Sequence, residues 1–123
     1  MANKLNWEKS GVYWKYSGEV SGQEIIDASR IVYGDPRFDE LEYKLVDFSD
    51  AQAVNMSDKE VARIAFQHKA AELSNACVKN AIVMMVNIEL AEKFASFFVD
   101  STWEVEVFQD IDAANKWLGR EAA

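Results

Sequence analysis

Apolar and polar residues alternate along two early stretches, 5–9 and 12–20, which are separated by Ser10-Gly11. In the second stretch Val12, Trp14 and Tyr16 point one way and Tyr13, Lys15 and Ser17 the other, a period of two that specifies a strand. The short connection makes the pair antiparallel. The period then changes. Ser21 and Glu24 have the spacing of a capping box, and Ile25, Ala28, Ile31 and Val32 form the apolar stripe of a helix reaching residue 33. Gly34 stops that helix, and Asp35-Pro36 prevents its continuation.

The same alternation of periods continues. Residues 43–49 predict a third strand, with a loop over 50–56. A second helix is predicted over 57–75, with Val61, Ile64, Ala65, Phe66 and Leu73 inward. The uninterrupted apolar run Ala81-Ile82-Val83-Met84-Met85-Val86, within a strand over 79–86, suits a central strand covered on both faces. Leu90, Ala91, Phe94, Phe97 and Phe98 give a helix over 89–100 a wide apolar face. Trp103, Val105 and Val107 alternate with Glu104 and Glu106, as an edge strand protected by charge does. A last helix starting near Asp110 presents Ile111, Ala114, Trp117 and Leu118 and stops at Gly119. The order is ββαβαβαβα: an α/β class protein with an N-terminal antiparallel hairpin and then a mixed, largely parallel sheet with right-handed crossovers.

Length and composition narrow the reading. The 123 residues, half of them hydrophobic and 12% aromatic, suffice for one core and one domain, 1–123, and no linker-like stretch divides them. A net charge of −8 repels phosphate backbones and anionic headgroups, so no nucleic acid and no membrane surface is expected as primary partner. The longest apolar run is far short of a membrane span. The single Cys77 permits no internal disulfide, and the first residues carry no apolar leader, so a cytoplasmic location is expected.

The opening hairpin, Gly34-Asp35-Pro36-Arg37-Phe38, Leu45-Val46-Asp47-Phe48-Ser49, the apolar strand at Ala81, and Val105-Glu106-Val107-Phe108-Gln109-Asp110 followed by Trp117-Leu118-Gly119 resemble SpoIIAA-like proteins. These are the STAS and SEC14-like small domains of bacteria. The resemblance runs from about Gly11 to Gly119 and rests on strands and caps rather than on a catalytic signature. It implies a single SpoIIAA-like domain. Its better-understood members are anti-sigma-factor antagonists, switched by phosphorylation of a serine at the start of the second helix. The matching stretch here is Asn55-Met56-Ser57-Asp58: Ser57 stands at the phosphoserine position, while Asn55, Met56 and Asp58 replace the aspartate, first serine and glycine of the usual motif.

Ser57 therefore has two readings: a helix N-cap closing a box with Glu60, and a phospho-switch. Asp47, Ser49 and Asp50 form, with Asp58, a polar cluster at a predicted strand end. Loop solvation and turn capping account for it, because a divalent cation needs about six converging oxygens. The lone His68 is expected at the surface, paired with Glu72 one turn on. Cys77 is expected to be a buried, inert thiol. Met84, Phe94, Phe97, Phe98 and Trp103 cluster as core, subunit interface or apolar pocket. No phosphate-binding glycine loop, GxSxG, HExxH or CxxC is present, so no catalytic residue, cofactor or metal is assigned. The expected function is a non-enzymatic interaction or regulatory module whose protein partner the residues do not name, with a homodimer as one assembly. The alternative is a carrier or sensor of a small lipophilic ligand beside Phe94, Phe97 and Phe98.

Overall fold

The computed structural model describes residues 3–120. Its one sheet has five strands in sequential order: β1 (Asn3–Trp7), β2 (Gly11–Ser21), β3 (Tyr43–Asn55), β4 (Lys79–Val83) and β5 (Glu104–Phe108). β1 runs antiparallel to β2 and every later neighbour is parallel. The helices are α1 (Gly22–Tyr33), α2 (Asp58–Glu72), α3 (Ile88–Ser96) and α4 (Ile111–Leu118), with a 3-10 turn at Pro36–Glu40.

Successive right-handed crossovers between adjacent parallel strands put their helices on one face. α1, α2 and α3 cover the face bearing Val12, Trp14, Tyr16, Phe48 and Ile82, and only the terminal α4 covers the other, packing on Leu45, Ala81 and Val83. Alternation in β4 feeds both cores, as the continuous apolar run requires.

The termini of the helices follow local chemistry. Ser21 Oγ accepts from Glu24 N at 3.2 Å, but the Glu24 carboxylate turns to Asn3 Nδ2 instead of back to Ser21, so only half of the expected box forms. Asp110 caps α4 through Ala113 N at 2.9 Å, and Gly119 ends it at φ 71°, which only glycine adopts without strain.

Several expectations change. Residues 50–55, expected as loop, continue β3, because β2 is long enough to pair with them: Ser17 faces Asp50, and Ser21 faces Asn55, across two register shifts. Asp50-Ala51-Gln52-Ala53 alternates only between polar residues and alanine, a weak strand former, so the pairing partner decides. β4 ends at Val83, three residues early, and α3 ends at Ser96. Ile31, Phe66 and Leu73 are exposed at 65%, 61% and 91%, while Ile26 and Ser29 take the inward positions on α1. The apolar stripe expected for α1 holds at Ile25, Ala28 and Val32, and only Ile31, which lies off the line of those three, faces solvent.

Trp103 joins the elements of the larger core. It is 1% exposed, its Nε1 donates to Asn75 O at 2.6 Å, and its ring meets Phe38, Phe98 and Tyr33 at centroid separations of 6.1, 6.2 and 6.4 Å. Trp103→Ala is expected to cost about 3–5 kcal/mol, whereas Val99→Ala, at a position 80% exposed, stays within about 0.5 kcal/mol of the parent. Urea unfolding midpoints at unchanged slope measure both; a Trp103 loss no larger than that at Val99 contradicts this account of the core.

Candidate functional site

Lys44 is the second residue of β3, the central strand, opposite Val12 of β2 and Asn80 of β4, so the sheet flanks it on both sides. Alternation sends Lys44, Val46 and Phe48 to the three-helix face and Leu45 and Asp47 to the α4 face. Lys44 is fully buried. Its Nζ donates to the Tyr33 hydroxyl and sits 4.8 Å from the Tyr33 ring centroid, 5.1 Å from that of Trp103 and 5.7 Å from that of Trp14. Among the described residues no carboxylate pairs with it. An isolated ammonium is too costly to hold in such surroundings, so burial drives the amine well below the usual lysine range.

His68 reaches the same region from α2 and is 6% exposed. Its Nδ1 lies 2.8 Å from Ile64 O, and because a carbonyl only accepts, the proton sits on Nδ1 and Nε2 keeps its lone pair. The ring packs edge-on to Tyr33 and Phe94, with centroids at 5.1 and 5.0 Å. Burial holds its pKa well below the ordinary histidine value. The expected surface pair with Glu72 does not form: Glu72 instead accepts from Ser101 Oγ, and the histidine points into the core. The i+4 spacing was real, but the apolar face of α2 runs through position 68, on the line of Val61, Ile64 and Ala65.

Between these groups and α3 lies an apolar cavity of about 60 Å³, bounded by Trp14, Lys44, Phe48, His68, Met84 and Phe94 among others. Ser29 and Asn80, both almost fully buried, add polar atoms to its wall. Among the described residues the Trp14 Nε1 proton has no acceptor. The space exceeds what one water needs and is smaller than the roughly 150 Å³ void that takes benzene. Met56 and Leu90 belong both to this wall and to an outer cleft formed by Val54, Asn55, Ser57, Glu60, Asn87 and Glu89. That cleft lies at the carboxyl end of β3, the usual side for ligands in open α/β sheets. Asn87, in the left-handed region at φ 57°, braces it by accepting from Val54 N at 3.0 Å.

The residues singled out in the sequence divide among different places. Ser57 caps α2 at the cleft rim: its Oγ accepts from Glu60 N at 3.1 Å, and Glu60 Oε1 accepts from Ser57 N at 3.0 Å, a complete box. Asp58, whose charge opposes a phosphate beside it, pairs with Lys93 Nζ of α3 at 2.7 Å. Asp47 is buried on the opposite face, accepting from Tyr13 Oη at 2.8 Å and Ser49 N at 2.9 Å. Asp50 is at the surface, 3.1 Å from Lys15 Nζ, and Ser49 is exposed. Asp47 and Asp50 therefore do not converge. Met84 and Phe94 border the cavity, Phe98 and Trp103 stack behind it, and Phe97 is half-buried against Phe66 at the surface. Cys77 is exposed rather than buried, because it lies in the turn before β4. Lys44, Trp14 and Asn80 were not singled out. The signal for Lys44 was present, since alternation places it beside Val46 and Phe48 on a strand with both faces covered.

The chain has the SpoIIAA-like fold, in agreement with the resemblance read from its strands and caps. The anti-sigma factor antagonist SpoIIAA in its unphosphorylated form aligns with a TM-score of 0.61 at 10% identity, over 96% of this chain and 99% of that one. The Bacillus cell fate determinant SpoIIAA in the phosphorylated form gives 0.56 at 12% identity, over 94% and 99%. An uncharacterized DUF3478-family protein with a SpoIIAA-like fold from Shewanella loihica PV-4 gives 0.53 at 15% identity, over 95% and 92%. No family model and no curated protein matches the sequence.

Two outcomes follow from the site. His68 stays neutral in the folded protein below the pH at which it protonates when unfolded, about 6.5. The unfolded chain then binds the extra proton, so stability falls as pH drops from 7 to 5, by at most about 1.4 kcal/mol per pH unit for this one group. His68→Leu is expected to flatten the slope of urea stability against pH by that one-proton share, and equal slopes in parent and variant refute it. Ser57→Ala is expected to remove about 1 kcal/mol through loss of the N-cap, seen as a lower urea midpoint; no shift means that the box contributes nothing net.

Proposed function

We propose that this chain is a regulatory binding module that works through contacts with another protein and performs no catalysis of its own. The observation that carries the reading is the position of Ser57, exposed at the start of α2 on the rim of the outer cleft, in a fold shared with a protein described as an anti-sigma factor antagonist in both unphosphorylated and phosphorylated forms. A phosphoserine there would meet the positive end of α2. Lys93 offsets the charge of Asp58, while Glu60 and Glu89 keep the cleft acidic. Modification would thus act by breaking the capping box and adding charge at the rim. The cytoplasm is the compartment that fits this reading, and the second copy of a homodimer is one partner that fits it.

A second reading, a carrier or sensor of a small lipophilic ligand, is favoured by one observation: the apolar cavity beside Phe94 and Met84, which adjoins the same cleft through Met56 and Leu90.

Light scattering on the eluted protein, combined with affinity capture using the parent chain and Ser57→Glu as baits, tests the first reading. The expected result is a dimer or a specific partner whose retention changes at least tenfold with Ser57→Glu. A strict monomer that captures nothing overturns it. Native mass spectrometry of the freshly purified protein tests the second: a small-molecule adduct supports it, and a mass equal to the sequence alone counts against it.

A further inference from the structure

We infer that the cavity is a site for a small aldehyde or ketone, held by a reversible imine to Nζ of Lys44. The inference rests on the ligand-binding reading and names the chemistry of the ligand. Three features of the wall support it. First, Lys44 is a fully buried primary amine on the cavity surface whose polar partner is the Tyr33 hydroxyl and which no carboxylate neutralises among the described residues. A structural lysine in a core is ordinarily paired with an acid, because the unpaired charge is so costly. Here the surroundings are the faces of Trp14, Tyr33 and Trp103, and an amine kept unprotonated by its surroundings retains the lone pair that a nucleophile needs. Second, Trp14, on the same wall, has a buried Nε1–H that finds no acceptor among the described residues. An orphaned donor of this kind is rare in a finished core, and a ligand oxygen would satisfy it. Third, the remaining wall, including Met84 and Phe94, is apolar, which suits a short alkyl chain.

The chemistry balances without an oxidant or reductant. The Nζ lone pair attacks the carbonyl carbon, and the C=O π pair moves onto oxygen, which takes a proton to give the carbinolamine. The nitrogen then gives up its second proton to the departing hydroxyl, the C–O bond breaks, and C=N forms with release of one water. Trp14 Nε1 donates to the oxygen while it carries charge. The Tyr33 hydroxyl stays protonated, burial having pushed its pKa well above the ordinary value, and so donates to nitrogen where it previously accepted. The cavity limits the ligand to about two carbons, and the acidic cleft that adjoins it disfavours an anionic ligand.

The test treats the whole chain at pH 6.5 with acetaldehyde and cyanoborohydride and maps the modified peptides by mass spectrometry. The eight other lysines compete for the reagent. Lys44 is expected to be alkylated at least tenfold faster than their mean, with the single-adduct species predominating. Lys44→Met, with folding checked by circular dichroism, is expected to lose that fast adduct, and Trp14→Phe to slow it. Alkylation of Lys44 no faster than the others overturns the inference. A parallel arm titrates labelled protein with ethanol, which matches acetaldehyde in size but forms no imine. Shifts of the Met84 and Phe94 signals with ethanol, without fast labelling of Lys44, leave ligand binding standing and sink the imine; no shift with either compound sinks both.

Discussion

The pairing of β2 with β3 is the constraint on which the rest of the structure depends. These two strands have 11 and 13 residues, against five in each of the others, and their ladder continues beyond the end of β4. The continuation is possible because two register shifts let the strands bend as they leave the flat part of the sheet, and because Gly18 takes φ 70° between them. Without that overhang β3 would end near Ser49, α2 would start closer to the sheet, and there would be no wall from Phe48 to Met56 above the cavity. The turn after β4 is tied to the overhang by the Asn87 side chain. One long pair of strands therefore fixes where α2 begins, where α3 begins, and the space between them.

The sheet order then makes the two faces unequal. Three crossover helices share one face and the terminal helix has the other to itself, so polar groups on the two faces meet different environments. Asp47 and Lys44 show the difference three residues apart on one strand. Asp47, on the thin side, is buried yet reached by Tyr13 Oη and a backbone N–H, which satisfy a carboxylate. Lys44, on the thick side, meets aromatic faces and one hydroxyl. The first arrangement is a complete local network of the kind that fixes a strand end. The second leaves an amine with spare capacity and a neighbouring indole N–H with none of its capacity used. Unequal satisfaction of buried polar groups, more than any motif, separates a structural position from a candidate site in this protein.

Much of the fold was legible because its signals are local. The hairpin, the alternation in β5, the apolar run of β4, the caps at Ser21, Ser57 and Asp110 and the stop at Gly119 each depend on a few adjacent residues. Misread parts depended on distant partners. Residues 50–55 carry only a weak alternation of polar residues with alanine and become strand because β2 is there to pair with them. Leu73 is seven residues after Phe66 and shares its outward stripe, across the helix from Ile64, so apolar character alone misplaced both, and Leu73 is 91% exposed. His68 carries a partner at i+4 that would be satisfactory at the surface, and only the position of the helix against Tyr33, Phe94 and Trp103 shows that the ring belongs to the core.

The site was legible in fragments. Ser57 and its box are fully local and appear as the sequence states them. The polar cluster at the strand end was an inference from adjacency along the chain, and adjacency along a strand works against it, since the side chains of Asp47 and Asp50 leave the backbone toward different surroundings across the register shift. The cavity groups come from β2, β3, β4, α1, α2 and α3, so no window of sequence contains them. What the sequence does hold is a charged residue at an inward position of a doubly covered strand. Such a residue is expensive in a core, and natural chains keep expensive groups where something else requires them. Lysine at position 44 and the unpartnered indole at position 14 face the same space from neighbouring strands, on the side of the sheet where the overhang leaves room. The coincidence of cost, geometry and space makes the cavity wall, rather than the acidic strand end, the part of this fold where chemistry has a physical basis.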